Sequence, residues 1–597
     1  MDHLLTSRPN IGLVILADFN QFDIYPICNG NNLKQVVSAP TRENAVLDLI
    51  ITNFSNQYHN PLIVPPIWKT DHNCILWEPC RYSVPNKLSK KFVRPMTDSS
   101  VRAFAHWIHA QNWHEITSVE SCQLKADVFY ETINQSIDLY FPIKTVKKFC
   151  SDKPWFNDRI RKTILSRQKA FINGYQSKYR LLRNKVNRQL LAAKQSFYAG
   201  RVRRLRKTDP AGWHRQIRNL TNLGNGDLTI NIEGTDPDDT KLIANKINDC
   251  LANFSQTQVP ISLQDLPAYL PSPSTLPEIQ PWETYKEIRK ISVKKAGGPD
   301  NIPAKILKEF AYELCTPVTD ILNSSFRQGV VPWQWKQANV VPVPKTQPPT
   351  LQKLRPISLT PLLAKVAESF ICNWIMHSIN SNLDTRQFGN RKGISTTHCI
   401  IDIYHYLISG ANNPNNISTL ILTDFSKAFD TIDHKVAISS LLELGAPPSA
   451  VKWIASFLTE RQQRVRYKGS LSNWETLSGG VPQGTKLGPV IFLACINNAL
   501  DCSHNKSWKY VDDLTLGETR LINKSSNLQA DLNQLDEWSK SNGFSLNPIK
   551  CKALQIYFGK KSVLDTSYYV SNVQLPIVSS VKLLGITLQS NLKWIYH

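Results

Sequence analysis

Twelve cysteines are scattered through 597 residues with no regular framework and no Cys-X-X-Cys pair, which argues against a disulfide-stapled scaffold. His106, His109 and His114 lack the partners and spacing of a zinc site. No apolar stretch is long enough to cross a bilayer, and Met1-Asp2-His3 opens no secretory leader. The expectation is a reduced, intracellular protein of the nucleus or cytoplasm with no membrane partner. No internal repeat is visible. The most telling shortage is of acid: 47 Asp and Glu stand against 70 Lys and Arg, a net charge of +23 that calls for a polyanionic partner or a heavily screened surface.

That imbalance is local. Between Lys144 and Arg218 stand 22 Lys or Arg and three acidic residues, Asp152, Asp158 and Asp209. In the same stretch Ile160, Ile164, Phe171, Tyr175, Tyr179, Leu182, Val186 and Leu190 recur at helical steps, so one or two long basic helices are expected, broken near Asn173-Gly174 and Ala199-Gly200. Such helices displace counterions from phosphates and bind nucleic acid in a salt-sensitive, sequence-independent way; the bland alternative is a solvated helix face. Arg201-Val202-Arg203-Arg204-Leu205-Arg206-Lys207 also matches the basic run of a nuclear-import signal.

Around this stretch the pattern predicts helices over Ser100–Leu139 and Leu242–Phe254, the latter with Ile243, Ile247 and Leu251 on one face. A proline-rich loop from Pro260 to Pro281 is expected to be extended rather than packed. Further on, Leu362, Val366, Phe370 and Trp374, widened by Leu363, Ala367, Ile371 and Ile375, predict a largely buried helix.

The densest chemistry lies at Tyr510-Val511-Asp512-Asp513. Short apolar runs on both sides predict two strands about a tight turn, with the carboxylates at a hairpin tip. Upstream, Leu420-Ile421-Leu422-Thr423-Asp424-Phe425 delivers a third carboxylate at the end of a strand. Three aspartates converging from separate segments could hold two hard divalent cations about 3.5–4 Å apart for in-line phosphoryl displacement. Adjacent aspartates are also common in solvated turns, so context decides. That context is Gly480-Val481-Pro482-Gln483-Gly484, Leu354-Arg355-Pro356-Ile357-Ser358 and Ala296-Gly297-Gly298-Pro299-Asp300.

With these blocks in this order, the chain from about Lys294 to about Trp594 resembles the reverse transcriptases of LINE-like, non-long-terminal-repeat, jockey-like retrotransposons. The resemblance implies an α+β fold with a right-hand polymerase palm and fingers. It implies Asp424, Asp512 and Asp513 as catalytic metal ligands, the Phe425 carbonyl as a further ligand, and two Mg²⁺ ions, with Mn²⁺ as an alternative. Phe429 matches the bulky gate against a ribose 2′-hydroxyl. Gln483 and Gly484 match the lining of the nucleotide pocket, Arg355 and Lys345 the contacts to the incoming triphosphate, and Lys550 the lysine that protonates pyrophosphate, with Lys552 as its competitor. Leu583-Leu584-Gly585-Ile586 resembles the primer-grip hairpin.

The N-terminus carries a second resemblance. Leu13-Val14-Ile15-Leu16-Ala17-Asp18-Phe19-Asn20 reads as a buried strand, and Lys69-Thr70-Asp71-His72 sets an acid beside an imidazole. With Arg42 to Ile50 these resemble the final third of the apurinic-endonuclease-like domain of LINE-like elements, with Ala17 and Thr70 where the family usually has glycine and serine. Asp18, Asn20, Asp71 and His72 would form a degenerate site that does not cut DNA by itself, since the family's earlier strands have no room.

The organisation expected is therefore a partial endonuclease/exonuclease/phosphatase-like sandwich over 1–80, a helical, strongly basic connector over 81–285, and a reverse transcriptase domain with fingers and palm but no thumb over 286–597. The expected function is RNA-directed DNA polymerisation, taking an RNA template, a DNA primer or target and deoxynucleotides, from an element copy truncated at both ends. Two alternatives stand beside it: a catalytically idle nucleic-acid-binding remnant, and an RNA-templated RNA polymerase, against which Phe429 argues. Oligomeric state is not legible.

Overall fold

The apolar run ahead of Asp424 becomes the middle strand of a five-stranded sheet in the computed structural model, which describes residues 12–20, 22–30, 33–66, 70–80, 88–149, 155–198, 230, 232–253, 259–262, 266, 270, 275–346, 348–501, 503–560 and 566–593. These residues group into two compact units that interleave along the chain: Met1–Pro95 with Ile143–Asn225, and Met96–Pro142 with Gly226–His597.

In the second unit the sheet runs in the order Lys506–Tyr510, Asp513–Leu521, Asn416–Thr423, Lys552–Ile556, Ile577–Val578. Its middle strand is buried on both faces, with Ile417, Leu420 and Ile421 at most 1% exposed, which is why its sequence is a continuous apolar run instead of an alternation. The predicted buried helix forms as Leu362–Ile379, started by Pro361, whose fixed φ suits a helix entry. Its Leu363, Ala367, Ile371 and Ile375 are all but inaccessible, and each large apolar side chain so buried contributes about 1.5–3 kcal/mol. Against it packs Leu487–Ile496, apolar throughout. The first N–H groups of that helix are met by a buried carboxylate: Glu368 accepts from the backbone of Lys486 and, at 3.2 Å, of Leu487.

A second sheet holds Gln337–Pro344 between antiparallel Leu354–Leu359 and parallel Arg461–Tyr467, with Ser470–Leu471 and Glu475–Leu477 both pairing with the last. Helix Thr240–Ala252, capped by the Asp239 side chain, covers it. Ile243, Ile247 and Leu251 meet Val340, Leu354, Val465 and Tyr467 in one apolar cluster. The predicted face is thus correct, and it belongs to this sheet although the sequence placed it within the connector.

The same holds for the helical region near Ser100–Leu139. It forms Asp98–His109, His114–Thr117 and Cys122–Tyr140, the first and last capped by Thr97 and Ser121. Cys122–Tyr140 lies on Ala311–Gln328, tied by an ion pair between the buried Lys125 and Asp320 and by the Cys122 N–H donating to Gln328 Oε1 at 3.1 Å. Trp335 Nε1 donates to the buried Tyr130 hydroxyl at 2.9 Å. Of the proline-rich loop, Pro267, Pro271 and Pro273 lie outside the described residues. Among the loop's described residues, Ile261, Leu266 and Ile279 are buried in the main core, packed at these points where extension was expected.

In the first unit, Val14–Asp18 pairs antiparallel with Asp48–Thr52, which also pairs with Lys34–Gln35. The strand Val14–Asp18 is at the sheet edge and largely exposed, with Leu16 at 66%. The expectation of a buried strand is corrected: this edge strand borders one neighbour, and its apolar side chains face water. The basic helices form as Asp158–Ile172 and Gln176–Phe197, parted at Asn173-Gly174, where Gly174 takes φ +70°. The second expected break, at Ala199-Gly200, and the basic run 201–207 lie outside the described residues.

Candidate active site

Register sets the aspartates at neighbouring strand ends. Thr423 pairs with Leu514, so one step further along the antiparallel ladder Asp424 comes abreast of Asp513. Tyr510 pairs with Asp513 across a two-residue turn, Val511-Asp512, which puts Asp512 at the tip as expected. Their negative charges act on one another. Asp513 is pushed up to about 6, first by desolvation and then by Asp512 and Asp424. Asp512 is also raised, first by desolvation and then by Asp424, with Arg355 and Lys550 pulling the other way. Lys550 Nζ lies 2.6 Å from Asp424 Oδ2, and its competitor Lys552 instead opens the strand Lys552–Ile556.

Among the described residues, the backbone bonds around Phe425 leave its carbonyl oxygen unused. An isolated bridge joins Phe425 to Leu546. Its two bonds go to the neighbours: Ser426 N–H to the Ser545 carbonyl and Asn547 N–H to the Asp424 carbonyl, each at 2.8 Å. The Phe425 carbonyl is used by neither. Asp424, Asp512 and Asp513 are hard oxygen donors of the kind a divalent cation takes, though their oxygens do not all draw within 4.8 Å of one another; burial first and mutual repulsion second disfavour the charged forms of Asp512 and Asp513, a cost such a cation would relieve.

The remaining predicted residues sit on adjoining loops and on the second sheet. Phe429 stacks on Phe492, ring centroids 4.7 Å apart. Gln483 Nε2 donates to Asp430 Oδ1 at 2.9 Å, and the Gln483 carbonyl accepts from Ser358 N–H at 2.7 Å. Gly484 has φ +115°, and a Cβ there would stand 2.9 Å from the Ser358 carbonyl oxygen, so only glycine fits. Arg355, across from Val343 in the second sheet, is near enough to influence Asp512. Lys345 acts likewise on Asp430, which burial raises. Asp430, which anchors Gln483, directly follows Phe429 in the sequence and was not singled out. Leu583 and Ile586 close the expected hairpin, its corners Leu584 and Gly585 at φ +47° and +96°.

In the first unit a separate cluster forms. His72 Nδ1 lies 2.7 Å from Asp48 Oδ2, and His72 Nε2 lies 4.0 Å from Asp18 Oδ2. Among the described residues these are the three whose ligand atoms draw together within 4.8 Å. Asp71, the sequence neighbour paired with His72 in the reading above, instead bonds Arg42 Nη2 at 2.7 Å. Asn20, at φ +48°, donates its N–H to Asp18 Oδ1 at 3.1 Å. His72 is held above its usual range chiefly by the Asp48 hydrogen bond. Asp48 was the missed residue; its place two residues after Val46 in an apolar strand gave no sign of an imidazole 24 residues on.

Part of the chain is similar to known proteins. Residues 343–588 match the family model described as "Reverse transcriptase (RNA-dependent DNA polymerase)". The probable RNA-directed DNA polymerase from transposon BS of Drosophila melanogaster is 28% identical over 330 residues, 53% of this chain and 36% of the relative. The RNA-directed DNA polymerase from mobile element jockey of the same species is 25% identical over the same shares. The match thus spans about a third of the length of these curated relatives. A telomerase structure from Candida tropicalis aligns over 44% of this chain and 55% of its own at 11% identity, with a TM-score of 0.30, too low to build on.

Proposed function

We propose, on the match of residues 343–588 to the reverse transcriptase family model and the likeness to polymerases of jockey-like, non-long-terminal-repeat retrotransposons, that the chain is an RNA-directed DNA polymerase adding deoxynucleotides to a primer 3′-hydroxyl. The observation that carries this reading is the register that brings Asp424 abreast of Asp513 with Asp512 at the adjoining turn.

On this reading the first sheet is a palm and the second, with Arg355 and Lys345, the fingers. Asp424, Asp512, Asp513 and the Phe425 carbonyl hold divalent cations. When bound, Mg²⁺, or Mn²⁺ in its stead, supplies positive charge that activates the attacking hydroxyl and stabilises the leaving oxygen. Arg355 grips the triphosphate through its planar guanidinium, with Lys345 as a second charge. Gln483, fixed by Asp430, and Gly484, close against Ser358, line the nucleotide pocket. Phe429, stacked on Phe492, blocks a 2′-hydroxyl. Lys550 Nζ gives a proton to the departing pyrophosphate.

The partners on this reading are an RNA template and a DNA primer or target. The connector helices, which expose Arg159, Lys162, Lys169, Lys178, Arg180, Lys185 and Arg188, add phosphate contacts. The Asp18–Asp48–His72 cluster is the endonuclease-like site of this reading.

Primer extension on an RNA template with Mg²⁺ or Mn²⁺ tests the assignment. Incorporation is expected from the chain and not from Asp512→Ala; no incorporation by the chain, or undiminished incorporation by the variant, overturns it. The exposed basic face favours one second reading, an idle nucleic-acid-binding protein. Salt-dependent RNA binding without extension would select that.

A further inference from the structure

Immediately before Asp512 the backbone adopts a conformation that β-branched residues avoid. Val511, the first corner of the hairpin, has φ +58°, which crowds its Cβ against the backbone. Such strain persists where the surroundings over-determine it. Here they are one short segment, 384–389, outside every motif that identified the site.

The buried Gln387, 2% exposed, turns Oε1 to two backbone donors: Val511 N–H at 3.1 Å and Gly389 N–H at 2.8 Å. Both are donors, so the amide oxygen must face them. Nε2 is then left buried without a partner among the described residues. The glutamine is thus held for its acceptor at the expense of its donor. Gly389 approaches so closely that a Cβ there would stand 2.6 Å from both Val511 Cγ2 and Val511 N.

The segment is itself fixed to the strand Lys506–Tyr510. Phe388 N–H donates to the Lys509 carbonyl at 2.8 Å, and Lys509 N–H to the Arg386 carbonyl at 2.9 Å. The fully buried Lys509 sets Nζ 2.6 Å from Asp384 Oδ2, and Arg386 Nε donates to both oxygens of that carboxylate at 2.9 Å. The support beneath Val511 is therefore ionic and partly buried, and is tied to the same strand that leads into the turn.

We propose that Gln387 is a positioning residue for nucleotidyl transfer. With Gly389 it clamps Val511 in the left-handed conformation and so fixes the direction in which the Asp512 carboxylate leaves the turn. The catalytic half of this inference rests on the polymerase reading; the clamp does not.

Hydrogen exchange on the full chain tests the clamp, and single-turnover extension tests its consequence. In Gln387→Met, which keeps length and removes the acceptor, the Val511 amide is expected to exchange at least tenfold faster, with the helix Leu362–Ile379 unchanged. Its kcat should fall at least tenfold while KM for deoxynucleotide stays within twofold. Gly389→Ala, which displaces the turn by contact, should repeat the kcat loss. Wild-type protection of Val511 in Gln387→Met, or exchange rising equally throughout the unit, overturns the clamp. Faster Val511 exchange with unchanged kcat overturns the positioning role. A wild-type chain that extends no primer yet shows the exchange difference sinks the polymerase reading and leaves the clamp standing.

Discussion

Lys550 Nζ stands 2.6 Å from Asp424 Oδ2, so the proposed proton donor and a proposed cation ligand are bonded to each other. A cation arriving at Asp424 competes with the lysine for that oxygen. Lys550→Met should therefore lower the Mg²⁺ concentration needed for half-maximal extension while cutting kcat on the order of 10²-fold, the usual worth of a general acid. A Mg²⁺ titration of extension rate reads both. An unchanged or higher Mg²⁺ requirement would show that the ion pair does not oppose metal.

Phe429 rests on Phe492 with rings 18° from parallel, a support that keeps the proposed gate from swinging aside. Phe429→Ala is expected to raise ribonucleotide incorporation relative to deoxynucleotide on the order of tenfold or more, the scale of steric discrimination by a pocket. Phe492→Leu, which removes the stack and leaves the gate, should give a smaller rise. Equal selectivity in wild type and Phe429→Ala would remove the gate assignment.

His434 is buried, its Nε2 2.9 Å from the Gly480 carbonyl, and burial holds its pKa below the ordinary 6.5. Below about that pH the unfolded chain takes a proton that the folded chain refuses. Stability present above pH 6.5 is thus lost as pH falls from there toward the folded value. Melting temperatures between pH 7.5 and 5 should fall, and less steeply for His434→Gln, whatever its starting stability. Parallel slopes for the two proteins would assign the acid sensitivity elsewhere.

The helix Gln176–Phe197 exposes Lys178, Arg180, Lys185 and Arg188. Replacing the four by alanine should reduce the slope of log affinity for duplex nucleic acid against log salt by roughly three to four units, near 0.9 per lost phosphate contact. Fluorescence anisotropy across a salt series measures it. A slope unaltered by the four changes would return this face to plain solvation.

What the sequence disclosed was what neighbouring residues decide together. The run Leu420–Phe425 and the turn at Val511-Asp512 are local patterns, and both strands formed where expected. The helix faces at Ile243, Ile247, Leu251 and at Leu362–Ile375 were visible for the same reason. Partnership across distance was hidden. Nothing near Asp48 announces His72, and nothing near Gln387 announces Val511, 124 residues on. Periodicity found the helices Cys122–Tyr140 and Thr240–Ala252 without saying which body they cover. For Val14–Asp18 an apolar run suggested burial, yet burial needs a covering layer, and that lies beyond a strand's own sequence.

The interleaving of the two units bears on how this protein comes apart. A protease cut at 285/286, the boundary expected from the sequence, would not liberate a free-standing C-terminal body. Thr240–Ala252 would remain seated on Val340, Val465 and Tyr467, and Cys122–Tyr140 on Ala311–Gln328. The nicked halves should elute together from a sizing column and part only in denaturant, and the C-terminal piece made alone should be the less soluble for its uncovered apolar faces.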